Sequence, residues 1–308
     1  MSVADALNNN YMPIVDVVVV TYNRLEKLKQ ALACYSKQSA SFRSLIIIDN
    51  HSSDETVQFL NSWKKQQEAY EKIVIRLDEN TGGAGGFFAG QKYALSRNPD
   101  WIYLADDDAY AATDTFERFY SFLLTNNCDS YSAICGTVVS PQGTICREHR
   151  AYDCVVKKIY FEKKPSKTTD YELPYFKIDF LSYVGVFLNT RALTSAGLVN
   201  PAYFIYHDDA EHSLRLKKHG DIICIPRIRI THDTWVQNGS QKVNEWREYY
   251  NIRNQLHMLL KHHPLCALNN IRFFIMQMVK KTIDAPLHRR AIIDAVTNHL
   301  GVNAHYKP

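Results

Sequence analysis

The sequence predicts an α/β fold, a mainly parallel sheet covered by helices and followed by a helical C-terminal region. Three observations lead there. Over the first hundred residues, strand-sized apolar runs alternate with helix-length segments, the pattern of βα units. The 308 residues are 46% hydrophobic and 22% charged, with 12 Gly and 10 Pro. That is the composition of an ordinary globular protein, long enough for one large α/β domain and a helical appendage. The segments richest in Asp, Asn and Gly follow apolar runs, so right-handed crossovers gather them on the carboxyl edge of the sheet, where open α/β folds bind ligands.

Taken in order, Ile14–Val20 reads as a buried strand, Arg24–Tyr35 as a helix, Leu45–Asp49 as a strand and Ser53–Lys65 as a helix. Ile73–Leu77 is a third strand, the glycine-rich run Asn80–Gly90 opens a helix ending near Ser96, and Trp101–Ala105 is a fourth strand. Beyond Ala111 come a helix to about Asn126, strands near Ser132–Val139 and Cys154–Phe161, and a polar loop Lys163–Asp170. Extended segments in Phe176–Leu188, a short helix Thr190–Ala196, a helix beginning near Asp209 and a strand ending at His232 follow. Val243–His263 and Leu268–Lys281 read as helices on either side of Pro264. The chain therefore divides into residues 1–241, which carry the motifs described below, and a helical region, 242–308.

No run approaches the ~18 to 20 apolar residues of a membrane span, and the polar start Met1–Asn10 lacks the basic and apolar parts of a signal peptide. The expectation is a cytoplasmic protein. Seven cysteines, odd in number and without a CxxC pair, argue against a disulfide framework and a zinc site, and read as mostly buried thiols. The net charge of +4 is uneven: from Lys242 onward ten Lys/Arg face four Asp/Glu, leaving residues 1–241 at −2. This modest basic excess, without a matching motif, does not indicate nucleic acid.

Three consecutive carboxylates end an apolar strand in Leu104-Ala105-Asp106-Asp107-Asp108. Unpaired they repel. Alternate residues of an extended chain point the same way, so Asp106 and Asp108 can face one Mg²⁺ or Mn²⁺ that also holds diphosphate oxygens. A solvated acidic turn or a helix N-cap is the plainer reading, and the strand-end position favours the metal. Asn80-Thr81-Gly82-Gly83-Ala84-Gly85-Gly86-Phe87 offers bare backbone that a ligand or a neighbouring segment can approach. It does not fit GxGxxG, and Gly90 is followed by Gln91 rather than Lys, which disfavours a dehydrogenase and a Walker-type ATPase.

Asp49, at a strand tip, can accept the N3 hydrogen of uracil or thymine, whereas Asp54 reads as a first-turn acid of the next helix. Tyr206-His207-Asp208-Asp209-Ala210-Glu211 is a second acidic group. It is an ordinary acidic helix start if taken alone, and a source of a general base if it lies near the first group. His232, at the end of Ile225–His232, can complete a hard-ligand octahedron.

The order Thr21-Tyr22-Asn23-Arg24, Asp49-Asn50-x-Ser52-x-Asp54, Asn80 to Phe87, Asp106 to Asp108, Asp208-Asp209-x-Glu211 and His232 resembles family 2 of the inverting GT-A glycosyltransferases, over residues from about 14 to 235. Within it, Asn80–Phe87 with Asp106–Asp108 looks most like the bacterial galactofuranosyltransferases, with rhamnosyltransferases as close neighbours. The resemblance implies a UDP-galactofuranose donor, a Mn²⁺ or Mg²⁺ held by Asp106, Asp108 and His232, and Asp209 as the base, with Asp208 as the second choice. It implies Asp49 at the uracil, Thr21, Arg24, Asn80, Gly82, Gly83 and Asp107 around the donor, and Trp235 lining the sugar site. The acceptor expected is a glycan or glycolipid. A dTDP-rhamnose enzyme, a metal-dependent phosphotransferase and a non-catalytic nucleotide-binding protein are the alternatives, the phosphotransferase lacking an identifiable nucleophile. The basic C-terminal part, with Phe273, Phe274, Ile275, Met276 and Met278, reads first as a helical subdomain or homo-oligomer contact. Its second reading is a surface on an anionic membrane that presents a lipid-linked acceptor.

Overall fold

A computed structural model describes residues 12–126, 128–234 and 245–306. Its βα half is built from β1 (Val15–Thr21), α1 (Leu25–Ser36), β2 (Ser44–Asp49), α2 (Thr56–Trp63), β3 (Glu71–Arg76), α3 (Gly82–Leu95) and β4 (Trp101–Asp106). Strands β3, β2, β1 and β4 lie side by side and parallel. The run Val17–Val19 is fully buried, as expected of a strand covered on both faces. The chain passes outward from β1 to β3 and then returns to the other side of β1, so the topological switch point lies between β1 and β4.

The sheet continues with β5 (Ala109–Ala111), α4 (Thr115–Thr125), β6 (Tyr131–Val139), β7 (Arg150–Val156), β8 (Tyr160–Pro165), β9 (Phe176–Ile178), β10 (Phe180–Leu181), β11 (Val186–Asn189), α5 (Thr190–Ala196), α6 (Asp208–Leu216) and β12 (Asp221–His232). The order is β3-β2-β1-β4-β11-β6-β12-β5 with β9 also on β12, while β10, β7 and β8 form a small second sheet. β11 is antiparallel to both β4 and β6. Three helices follow, α7 (Glu245–His262), α8 (Pro264–Val279) and α9 (Ala285–Val296). Among the described residues, no helix is long and apolar enough to cross a membrane.

Several expected elements are corrected. Cys154–Phe161 is not one strand but the two arms of the β7–β8 hairpin, whose turn carries Lys157 and Lys158 at φ 51° and 62°. No glycine marked that turn. The supposed loop Lys163–Asp170 contains the end of β8 and a short 3₁₀ turn, Thr168–Glu172. The glycine run does open a helix, as expected, with the glycines from Gly82 onward inside α3. A Cβ on Gly86 or Gly90 would sit 2.5 Å from Val20 Cγ1 or 2.3 Å from Val18 Cγ1, so those glycines let the helix press onto β1. Of the six cysteines whose side chains are described, all are free, and three rather than most are buried.

Candidate active site

Register sets the floor of the site. Thr21 pairs with Asp49 and Val20 with Asp106 across parallel strands, so the tips of β1, β2 and β4 end at one level beside the switch point. The chain then turns into β5, where Ala109 pairs with His232 at the end of β12. That single antiparallel contact brings His232 to the acidic turn from more than a hundred residues away. Asp106, Asp108 and His232 each offer a ligand atom, all within 4.8 Å of one another.

Electrostatics divides the three aspartates. Asp108 Oδ2 receives Arg24 Nη1 at 2.6 Å and its Oδ1 lies 3.3 Å from His232 Nε2. Burial alone would push its pKa up, but the His232 hydrogen bond and Arg24 outweigh it and the net direction is down. Asp107 is fully buried and accepts the Thr21 hydroxyl at 2.7 Å, with Arg24 Nη2 at 3.0 Å. Burial pushes it up to about 6 against both partners. It braces Arg24 and the β1 tip rather than facing the cleft. Asp106 is pushed well above the ordinary carboxylate range by burial and by Asp108, with Arg24 too weak to offset them. The cluster is thus short of positive charge on its Asp106 side. Two hard carboxylates and an imidazole are a donor set that suits Mn²⁺ or Mg²⁺.

Above this floor lies a cleft of about 740 Å³, whose lining includes Thr21, Arg24, Asn80, Gly82, Gly83, Asp106, Asp108, Asp208, Asp209 and His232. Asp49 is not part of that lining. It is 1% exposed, its Oδ1 accepts from Ser52 N at 2.9 Å, and Arg76 Nε lies 3.8 Å from Oδ2. Its neighbour Asn50 lines the cleft instead, with Oδ1 accepting from Thr81 N and Nδ2 donating to Gly82 O, both at 3.0 Å. Trp235 lies outside the described residues. Gly82 has φ +70°, and a Cβ there would stand 2.1 Å from Phe204 O, whereas Gly83 has open space where its Cβ would be.

The second acidic group lines the same cleft. Phe204, Tyr206 and His207 all have positive φ, a costly conformation for such residues, and α6 starts immediately after with Asp208. The strained loop is held by α7. Asn254 Nδ2 reaches the carbonyls of Tyr203, Ile205 and Tyr206 at 2.7 to 2.9 Å, and Arg253 Nη2 those of Ala202 and Tyr203 at 3.2 Å. Burial, and then Asp209, push the pKa of Asp208 up to about 8. One turn along, buried Glu211 meets Arg215, Lys261 and His262 at 2.9, 2.8 and 3.2 Å.

Sequence reasoning missed His149, Trp246 and Arg247 as cleft residues, and chose Asp49 over its motif neighbour Asn50. His149 Nδ1 pairs with Ser182 Oγ at 2.7 Å, and its Nε2 lies 3.4 Å from His232 Nδ1. Burial and the adjacent Arg150 push its pKa down to about 3, so it is neutral at ordinary pH. A histidine amid polar residues gave no period or spacing to single it out, and Arg247 was counted only as surface charge.

The sequence profile of glycosyl transferase family 2 matches residues 16–191, from β1 into α5. The chain belongs to that family. The family match covers the strand tips and the triple aspartate, while the acid pair and His232 lie beyond it. Galactofuranosyltransferase GlfT1 of Mycolicibacterium smegmatis is 37% identical over 102 residues, 33% of this chain and 32% of that protein. The poly(ribitol-phosphate) beta-glucosyltransferase of Bacillus spizizenii is 26% identical over 160 residues, 50% of this chain and 24% of its own length. These alignments span about a third or less of the curated relatives. Among solved structures, GalNAc-T7 with UDP, GalNAc and Mn²⁺ superposes with a TM-score of 0.61 at 13% identity, over 82% of this chain and 48% of that one. S. aureus TarS 1–349 in complex with UDP-GlcNAc gives 0.58 at 15% identity, over 92% and 81%. Family 2 membership and a GT-A type fold therefore agree with the expectation from the motifs.

Proposed function

We propose that this family 2 protein is an inverting galactofuranosyltransferase, moving galactofuranose from UDP-galactofuranose to a hydroxyl of a lipid-linked cell-surface glycan. The observation that carries the reading is one cleft lined by two acidic groups, Asp106 and Asp108 gathered with His232, and Asp208 with Asp209. The identity with GlfT1 supports the choice of sugar.

Asp106, Asp108 and His232 would hold Mn²⁺ or Mg²⁺, which supplies positive charge against the departing diphosphate. Asp209 takes the proton of the acceptor hydroxyl as that oxygen attacks the anomeric carbon from the face opposite UDP, and Asp208 is the alternative base. A single displacement inverts the anomeric centre. Arg24, anchored by Asp107 and Asp108, adds a fixed cation near the diphosphate, and Thr21 acts through Asp107. Asn80, Gly82 and Gly83 form the backbone shelf for the donor, with Gly83 the point of close approach. Asp49, buried and hydrogen-bonded to Ser52 N, is assigned to the uracil side of the site as a positioning residue, with its neighbour Asn50 lining the cleft, and Trp235 is assigned to the sugar. Residues 1–241 form the catalytic domain, with α7 closing one wall of its cleft.

Thermal melting with UDP, dTDP, UDP-galactofuranose, dTDP-rhamnose and NAD, each with and without Mn²⁺, tests this without an acceptor. A ligand at about a hundred times its dissociation constant stabilises the fold by ~2.7 kcal/mol. A Mn²⁺-dependent shift with UDP and its galactofuranose sugar is expected. A shift with dTDP compounds alone would move the assignment to a rhamnosyltransferase, and no shift with any nucleotide would refute it. Asp209→Asn should keep the donor shift and lose most turnover.

A further inference from the structure

The outer face of α8 is apolar. Leu265, Leu268, Ile275, Met276 and Val279 lie on one side of the helix at helical spacing, and each is 43 to 78% exposed. Cys266 and Ala267 supply its buried contacts. A surface helix of a globular protein normally turns polar residues outward, and one that is apolar on both faces calls for a second apolar environment. The sixteen residues of α8 include no Asp or Glu, its one charge is Arg272, and Lys280 and Lys281 follow directly.

A second element, distant in sequence, lies beside the start of this helix. The β7–β8 hairpin rests against the start of α8, where Cys266 Sγ lies 3.7 Å from Lys158 O and the rings of His263 and Phe161 stack at 5.6 Å. The hairpin tip exposes Val156, Ile159 and Tyr160 around Lys157 and Lys158. Both elements therefore combine bare apolar side chains with cations.

We infer that the hairpin tip and the outer face of α8 together dock on an anionic lipid surface. The apolar side chains enter the headgroup boundary, while Lys157, Lys158, Arg272, Lys280 and Lys281 lie among acidic headgroups. Charge selects this occupant over a second copy of the chain. A two-fold contact sets the same patch against itself, bringing like charges together, whereas an anionic leaflet neutralises them. The hairpin's strand β8 also packs on α8, among the chain's C-terminal helices, and Tyr160 at its tip is three residues from Lys163, about 10 Å of strand. Given the proposed transferase activity, this surface is where a lipid-borne acceptor would be met.

Flotation with phosphatidylglycerol–phosphatidylcholine vesicles, against vesicles of phosphatidylcholine alone, tests the inference on the intact chain. The wild-type chain should float with the anionic vesicles and be released by salt. Lys157→Asn with Lys158→Asn suits the left-handed turn and should weaken partitioning about fivefold for each charge removed. Leu268→Ser with Ile275→Ser and Val279→Ser should abolish recruitment. These positions are exposed, so both variants should melt like wild type. Wild-type chain that stays with the unbound fraction, or either variant floating as wild type does, overturns the inference. So does a vesicle-free dimer lost in the serine variant without any flotation, which would give the face to a second copy. The UDP and Mn²⁺ melting shift, read on the same samples, separates the two proposals: its absence in wild type strikes the active-site reading, and its persistence in non-floating variants confines the defect to the surface.

Discussion

Replacing Glu211 by Gln removes the charge that ties the acid-bearing helix to the C-terminal helices. Glu211 is fully buried, with Arg215 Nε, Lys261 Nζ and His262 Nε2 all within 3.2 Å. Burial would raise its pKa, yet His262, Arg215 and Lys261 together hold it far below the usual range. Breaking a buried pair by neutralising one partner costs about 3–5 kcal/mol. Lys261 is half exposed, so water recovers part of that loss and the lower end, about 3 kcal/mol, applies. With an unfolding entropy of roughly 2.1 cal/mol/K per residue, the melting temperature should fall by about 5 °C. The sign with pH follows from the depressed pKa: the stabilisation is present above the unfolded value near 4.3 and is lost as pH falls toward the folded one. The gap between wild type and Glu211→Gln should therefore be constant around neutrality and shrink below about pH 4. Because α6 carries Asp208 and Asp209, a displacement of the order of 1 Å should lower kcat by about a hundredfold, while the Mn²⁺ and UDP shifts persist. Differential scanning calorimetry and a transfer assay measure these effects. An unchanged melt, or lost donor binding with normal kcat, would refute the claim that Glu211 acts by fixing α6.

Gly82→Ala should destabilise the fold by at least about 1–3 kcal/mol, because its φ is +70° and the added Cβ meets Phe204 O at 2.1 Å. Gly83→Ala should leave the melt unchanged and weaken UDP binding, since its space is open; a melt drop there or undisturbed binding would exclude the close donor approach. The carboxylates Asp107 and Asp208, pushed up to about 6 and about 8, favour the protonated fold. Their stabilisation is complete below the unfolded value and is lost as pH rises through 6 and 8. Among the proposed metal ligands Asp106 is the one whose pKa is raised, by burial and then by Asp108; Mn²⁺ must displace its proton and should raise the melting temperature more at about pH 8 than at about pH 5, and a pH-independent increment would argue against a metal at Asp106 and Asp108. Asn254→Leu should cost about 1–3 kcal/mol by leaving buried carbonyls of the 203–206 loop unpaired, with kcat falling more than donor affinity.

The sheet half was legible because its signals are local. A strand covered on both faces reads as an apolar run, and Val17–Val19 and Ile46–Ile48 do so without ambiguity. The acids at Asp106–Asp108 stood out as a candidate because they end an apolar strand, where an ordinary acidic turn or N-cap is the weaker reading, and the fold brings Asp106 and Asp108 together with His232. The glycine run was half legible: its composition showed close approach, but not that Gly86 and Gly90 meet β1 while Gly83 faces open space. The β7–β8 hairpin was missed because lysines hold its left-handed turn, and β5 because three residues are too few to show alternation. His149 was out of reach, since its position beside His232 depends on how β12 returns to β5.

The charge change at residue 242 suggested an appendage, and the contacts of α7 argue that it is not an energetic boundary. Phe204, which directly precedes the acid loop, packs with Tyr249, Tyr250 and Leu256 in the core of the C-terminal helices. A loop with three left-handed residues holds its shape only when its surroundings over-determine it, and here Arg253 and Asn254 do so from inside α7. Both are polar residues buried on a helix face that periodicity alone would assign to apolar packing. Their burial has a cost that the carbonyls of residues 202–206 offset, helped for Arg253 by Gly301 O at 2.7 Å and by the Asn254 side chain at 2.9 Å. The same two side chains therefore explain why α7 is seated where it is and why Asp208 and Asp209 point into the cleft.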